Sequence, residues 1–451
     1  MKKAFLIFCI AFSMTLLTNC VSTPKEPINS SCSSLRLPES YSDSYHYRTN
    51  TPEKNIPAIL KSEYFESLRK NSTEVYIEKV CKSISDSAKN DFEKVKMIHD
   101  FIILLLYHDP IHFLQDYYSD EFADIFKNFC DRLDIPCKKV HGYIRQKGII
   151  NINSILNEQE PLIPNHTWNI VEIYKAWYIV DCTWDSFYGR PIDPRYTTDI
   201  TEKKYSYINY STDCLFLRGE HCIYSHFPLE SEYQLIPQKI SPTEFIKLPY
   251  LAPDFFYLFK DYEPFEKINE VENSFTLSLI PYNEESVISI GVTNPETRED
   301  VKNCFCIKSI NSKREIQFSF PKPSIYEINI FLVNMRFESA PLTVEFFVDA
   351  KSSNSIRYPT FWHSFAKNFE IMSPSPIEEP LKKGQSYTFK IHIENTNFVF
   401  ATDDETSFPL KNEGNGIFTL DITIPTTADK LDLVYETYNK EYEALVTYKV
   451  E

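Results

Sequence analysis

Two residues have the types and the spacing to do chemistry together: His166 and Asp181. They belong to the segment HTWNIVEIYKAWYIVDCTWD (166–185), which also carries three of the chain's four tryptophans. A carboxylate beside an imidazole fixes the ring tautomer and supports a positive charge on it, as a histidine base in a nucleophile–His–Asp relay requires. The chemistry would be acyl transfer. A His and an Asp at strand ends are more often surface or hydrogen-bonded core residues, so this pairing needs support from the elements around it.

Those elements can be read from the same segment. Trp168 to Val171 and Trp177 to Val180 are β-favouring apolar runs separated by a polar stretch around Glu172 and Lys175. That pattern predicts an antiparallel hairpin, which returns Asp181 to the side of the strand that starts at His166.

The two halves of the segment resemble the His and Asp motifs of the transglutaminase-like superfamily, H-x-W-N-x-V followed by W-y-x-V-D-x-T-W. The flanks resemble its kyphoscoliosis-peptidase-like branch. Phe92 to Tyr107 looks like the family's first helix, and Ala123 to Tyr143 like the helix and strand after the nucleophile. His221 to Phe256, with IYSHFP and APDFF, looks like the tail of that branch. The resemblance covers roughly residues 85–256 and implies His166 as base, Asp181 as its orienting carboxylate, and Trp168, Asn169 and Trp184 as residues of the substrate groove.

The resemblance also exposes a departure. The family's nucleophilic Cys stands in a G-x-C-x-G-Y-A turn that opens a helix; aligned on Ala123, that frame puts Phe122 on the Tyr, Glu121 on the second Gly and Ser119 on the Cys. A shift of register does not restore the motif, because Lys82–Phe129 contains no cysteine and the first glycine of the chain is Gly142. Glycines permit positive φ and close substrate approach, and a Cys at a helix N-terminus gains thiolate character. Asp120 and Glu121 instead place carboxylates there, which raise a neighbouring nucleophile's pKa. Cys130 is eleven residues beyond Ser119, about 16 Å along one helix at ~1.5 Å per residue. Both it and Cys137 read as small buried hydrophobes. Ser119 itself is chemically competent as a serine nucleophile.

With 451 residues, 43% of them hydrophobic and 15% aromatic, the chain is long enough for about three folded domains. Only eight glycines are present, so turns must use Asn, Asp, Ser and the 28 prolines. The net charge of −16, with no basic aromatic-interleaved patch, argues against nucleic acid as a partner. Apart from Cys9 and Cys20, nine cysteines remain, an odd number that cannot form a complete disulfide framework, although Cys214 and Cys222 are close enough in sequence to pair. No histidine cluster accompanies the cysteines at ligand spacing, so no metal site and no cofactor are expected.

Residues 1–19 read as a lipoprotein signal: Lys2 and Lys3, an apolar core Ala4–Leu17, then Leu16-Leu17-Thr18-Asn19 before Cys20, the residue to be lipidated. Asn19 departs from the small residue usual before such a Cys. Residues 20–50 read as a flexible tether. The expected location is a bacterial cell envelope, lipid-anchored to a membrane, periplasmic or surface-exposed.

Beyond about residue 256 the pattern turns to period two. Phe275-Leu277-Leu279, Ile288-Ile290-Val292, Ile316-Phe318-Phe320 and Tyr326-Ile328-Ile330-Leu332 predict one immunoglobulin-like sandwich over 257–350. A connector follows at 351–376, with Trp362. Tyr387-Phe389-Ile391-Ile393, Phe418-Leu420-Ile422-Ile424 and Leu445–Val450 predict a second sandwich over 377–451. The expected fold class is therefore α+β: a transglutaminase-like, papain-like domain at 51–256 followed by two all-β immunoglobulin-like sandwiches. The preferred functional reading is a pseudoenzyme, a binding or adhesion module for a protein or peptide partner of the cell envelope or a host surface. The alternative is an active peptidase or acyl transferase using Ser119 or another nucleophile with His166 and Asp181.

Overall fold

A computed structural model of the chain describes residues 35–39, 44, 46–48, 73–108, 119–145, 162–186, 211–282, 287–310, 313–333, 342–361, 375–393, 396–436 and 440–451. The expected signal, Cys20, most of the tether and Trp362 lie outside the described residues, as do residues 109–118. The described chain is mostly β-sheet with few helices, and it divides into two compact units.

The first unit comprises residues 1–144, 162–189 and 204–240. Helix α1 spans Thr73–Ser87 and α2 spans Asp91–His108, covering the expected Phe92–Tyr107. The start of α2 is capped: Asn90 Oδ1 accepts from the Glu93 amide at 2.9 Å, and Glu93 Oε2 accepts from the Lys89 amide at 2.7 Å. Helix α3, Ser119–Arg132, buries Phe122, Ala123, Phe126, Phe129 and Cys130, a spacing that places all five on one face. It stops where Asp134 takes the left-handed conformation (φ 56°) and the Ile135 amide reaches back to the Cys130 carbonyl.

Five strands form an antiparallel sheet in the order β4-β3-β2-β1-β5, with β1 Cys137–Ile144, β2 His166–Ile173, β3 Ala176–Val180, β4 Leu215–Leu217 and β5 His226–Pro228. The hairpin β2–β3 closes through Tyr174 and Lys175, with φ of 50° and 67°, the two positive values of a tight turn whose twist matches the strands. On β2, Val171 and Ile173 join Phe122, Phe126 and Phe129 of α3 in one apolar core. Gly142 on β1 is paired on both sides, to His166 and to Pro228. A Cβ there would lie 2.4 Å from both the Phe227 carbonyl oxygen and Trp168 Cη2, so only glycine lets Trp168 and β5 approach β1 this closely. The unit also holds two short α-helices, α4 Cys182–Asp185 and α5 Gly219–Cys222, and a 3-10 turn, Ser231–Gln234.

The second unit comprises residues 145–161, 190–203 and 241–451. Its start differs from the sequence reading, which carried the first domain to residue 256. Helix α6, Pro242–Lys247, opens on a Ser241/Glu244 capping box. Strand β6, Tyr250–Leu251, then pairs with β14, Leu342–Ala350, so backbone pairing commits this stretch to the sandwich. Helix α7, Phe255–Leu258, leads into β7, Phe259–Tyr262.

One pair of sheets holds β8 Ile268–Val271, β9 Ser274–Pro281, β10 Val287–Thr293, β11 Phe305–Ile310, β12 Lys313–Ser319 and β13 Ser324–Val333 together with β6, β7 and β14. Its sheets run β10-β13-β14-β6, with β8 parallel to β14, and β11-β12-β9-β7. Phe346 of β14 meets Phe275 of β9 and Phe318 of β12 across the two sheets, at 5.5 and 6.4 Å between ring centroids.

A second pair of sheets follows: β15 Thr360–Phe361, β16 Ser386–His392, β17 Val399–Thr402, β18 Ser407–Pro409, β19 Lys411–Gly414, β20 Ile417–Thr423, β21 Lys430–Glu436 and β22 Tyr442–Lys449. They run β15-β22-β21-β17-β18 and β16-β20-β19 around a core that includes Phe389, Phe418, Leu433 and Tyr448. Part of the expected connector thus contributes a strand, β15, to this second sandwich. All eight described cysteines are buried thiols, and Cys214 and Cys222 are not bridged to each other.

Candidate functional site

The site lies where β2 begins and β3 ends. The hairpin register pairs Asn169 with Val180, which brings Asp181 beside the first residues of β2. His166 Nε2 lies 2.6 Å from Asp181 Oδ2, and both side chains are nearly fully buried. The other carboxylate oxygen, Oδ1, caps α4 by accepting from the amides of Thr183 (2.9 Å) and Trp184 (3.1 Å). Asp181 is therefore fixed by backbone donors on one oxygen and presents the other to imidazole.

A second histidine shares that oxygen. His226 Nε2 is 3.2 Å from Asp181 Oδ2, and its Nδ1 is 2.8 Å from Ser225 Oγ. Burial alone would push the Asp181 acid up, but the charge and hydrogen bonds of His166 and then of His226 hold it well below the usual carboxylate range. The sequence reading missed His226. Its only sequence signal was the IYSHFP stretch, 45 residues beyond Asp181, and β5 brings it back through its pairing with β1.

Trp168, Asn169 and Trp184 are 2%, 2% and 1% exposed. Trp168 and Trp184 pack their rings around His226, at 5.2 and 4.4 Å between centroids. Asn169 Nδ2 donates to the Ala123 carbonyl at 3.0 Å and so ties β2 to α3. These three side chains support the site from beneath; His166, at 7%, is its most solvent-near member.

Ser119 is the first residue of α3, the helix-opening position given by the alignment. Its Oγ accepts from the Thr167 amide at 2.9 Å, and among the described residues no hydrogen bond joins it to His166. The next two residues are carboxylates. Asp120 faces Lys139 at 3.3 Å and His141 at 3.7 Å. Glu121 has its acid pushed up by burial and by Asp124 and Asp120. A backbone-bonded hydroxyl among carboxylates is poorly placed to become a nucleophile.

A second polar cluster supports the same turn. Asp185, at the far end of α4, meets His99 Nε2 of α2 at 3.0 Å and accepts from the Cys214 amide at 2.9 Å. His99 Nδ1 continues to Asp100 at 3.2 Å, and Lys96 Nζ to Asp100 at 2.5 Å. All four side chains are fully buried or nearly so. Burial would depress His99, yet its bonds to Asp100 and Asp185 raise its pKa; burial would raise Asp100, yet His99 and Lys96 lower it.

No family model matches the chain. Hillarin from Drosophila melanogaster is 26% identical over 145 residues, 31% of this chain and 17% of that protein. A Lim and transglutaminase domain protein from Caenorhabditis elegans is 21% identical over 188 residues, 39% of this chain and 25% of that protein. Kyphoscoliosis peptidase from Mus musculus is 23% identical over 222 residues, 45% of this chain and 31% of that protein. The chain is distantly similar to transglutaminase-like proteins. It spans less than a third of the length of these relatives.

Among solved structures, Bacteroides ovatus SGBP-B in complex with a mixed-linkage heptasaccharide is 12% identical, covering 41% of this chain and 42% of that one, with a TM-score of 0.14. Tandem Ig repeats of Dlar are 11% identical, covering 41% of this chain and 93% of that one, with a TM-score of 0.13. At these scores the likeness carries no functional weight.

Proposed function

We propose that the first unit is a transglutaminase-like domain that has lost its nucleophile and now binds a protein or peptide of the cell envelope or a host surface. The observation that carries this reading is Ser119: it opens α3 where the family's Cys would stand, its Oγ is held by the Thr167 amide, and it makes no hydrogen bond to His166. Asp120 and Glu121 in the same turn work against any anionic nucleophile. In this reading the N-terminal segment, with Cys20, anchors the chain to a membrane, and the two sandwiches act as spacing and interaction modules.

A second reading, acyl transfer through Ser119, is favoured by one observation, the short His166–Asp181 contact of 2.6 Å that a histidine base would need. Covalent labelling separates the two. The full chain is treated with a fluorophosphonate and with a thiol-directed electrophile, and adducts are read by intact mass. The binding-module reading expects no stoichiometric adduct on Ser119. An adduct that disappears in both Ser119→Ala and His166→Ala would replace it with the enzyme reading.

A further inference from the structure

We propose that His166, Asp181 and His226 form a binding site for one divalent transition-metal ion of the zinc class. Their three donor atoms, one per side chain, all lie within 4.8 Å of one another, and all three residues are buried. The sequence reading expected no metal because it sought histidines beside cysteines; here the second histidine arrives through β5, from a strand remote in sequence.

The donor set is two imidazoles and one carboxylate, which suits a borderline ion and not an oxygen-seeking one such as calcium or magnesium. Zinc bonds of ~2.0–2.2 Å in a tetrahedral arrangement place ligand atoms roughly 3.3 Å apart. The Asp181 oxygen is already 3.2 Å from His226 Nε2 and 2.6 Å from His166 Nε2. An ion therefore needs the His166–Asp181 pair to open by about 0.7 Å and the two Nε2 atoms, which lie within 4.8 Å of each other, to settle at a similar spacing.

Supporting contacts of the kind that orient metal ligands are in place. Ser225 Oγ holds His226 Nδ1, and the Thr183 and Trp184 amides hold the carboxylate oxygen that faces away from the histidines. Two further groups point to an occupant: Trp168 Nε1 and Trp184 Nε1 are buried without an acceptor among the described residues, and both rings pack around His226. A water or anion completing the ion's fourth position is an acceptor for such a donor. His166 is the most exposed of the three ligands.

The inference does not rest on the peptide-binding reading: zinc is measured without any peptide, and failure of one leaves the other standing. The full chain, stripped by chelation, is titrated with Zn2+ against a chromophoric competitor, with Ca2+ as control. The expected result is one zinc per chain with a Kd below about 1 µM, weakened about 100-fold or more in His226→Gln. Co2+ should give the visible absorption of a tetrahedral site, absent in that variant. Absence of saturable binding, or equal binding by His226→Gln, overturns the site. If that variant does not fold, X-ray absorption on the zinc-loaded wild type decides: imidazole and oxygen ligands support the site, and a sulfur shell near ~2.3 Å overturns it.

Discussion

The two ends of α4 carry carboxylates in opposite circumstances. Asp185 belongs to a sealed cluster in which Lys96 supplies a permanent cation and every member is enclosed. Asp181 meets, among the described residues, two imidazoles at one oxygen, and one of them is the more exposed member of the cluster. The first arrangement is closed and fastens α2 to the turn. The second is held rigid on its inner side and left able to take a ligand on its outer side. A scaffold and a site can thus share one four-residue helix, and the difference lies in which cluster has its charge already neutralised.

The largest test removes the cation of the sealed cluster. Lys96→Met leaves Asp100 buried without its ammonium partner and should cost about 3–5 kcal/mol in denaturant unfolding. His166→Ala should cost less, about 1.5–3 kcal/mol, since it deletes one charge-assisted bond beside solvent. Equal losses in the two variants would erase the contrast. Gly142→Ala should come next, at about 1–3 kcal/mol, because a methyl group must displace Trp168 or part β5 from β1; a smaller zinc response in that variant would link strand spacing to the site. Ser119→Ala should be the mildest, about 1 kcal/mol from the lost acceptor for the Thr167 amide.

Acidity sharpens the same contrast. His99 has a raised pKa, so its contribution is complete below the ordinary value of 6.5 and is lost as pH rises through the folded value. Asp100 and Asp181 are lowered, so theirs is complete above 3.8 and lost as pH falls toward the folded values. These groups together favour mildly acidic conditions. The unfolding midpoint should be higher near about pH 5 than near about pH 8, and His99→Gln should flatten that alkaline decline; an unchanged decline would assign it elsewhere.

The hairpin was legible because its two apolar runs and intervening polar residues write a local pattern that the backbone follows directly. Its turn was less so, since Tyr174 and Lys175 take positive φ without the Gly or Asn that normally announces it. Lys96 and Asp100 were not singled out in the sequence, because an i,i+4 Lys/Asp spacing is usual on a helix surface, and only packing of α2 reveals them as buried. His226 was hidden by distance in sequence. In the sandwiches, alternation exposed β9, β10, β12, β13, β16, β20 and β22; β14 alternates too, with Leu342, Val344, Phe346, Val348 and Ala350 on one face, but was not singled out, and the polar β19 gave no apolar period-two signal. The pairing of Tyr250 and Leu251 was not legible either, because their strand partner lies some ninety residues later.

The eight enclosed thiols have a consequence for how the protein ages. Burial pushes Cys81 up to about 11 and both Cys304 and Cys306 to about 12, and Cys130, Cys182 and Cys222 well above the usual thiol value. While folded, these six sulfurs are inert because little of the reactive thiolate exists and burial shields it. Once the chain opens, all become ordinary thiols at the same moment. In oxidising surroundings, a single excursion to the unfolded state can then be captured by sulfur coupling, so lifetime there is governed by the rate of opening and not by the folding equilibrium.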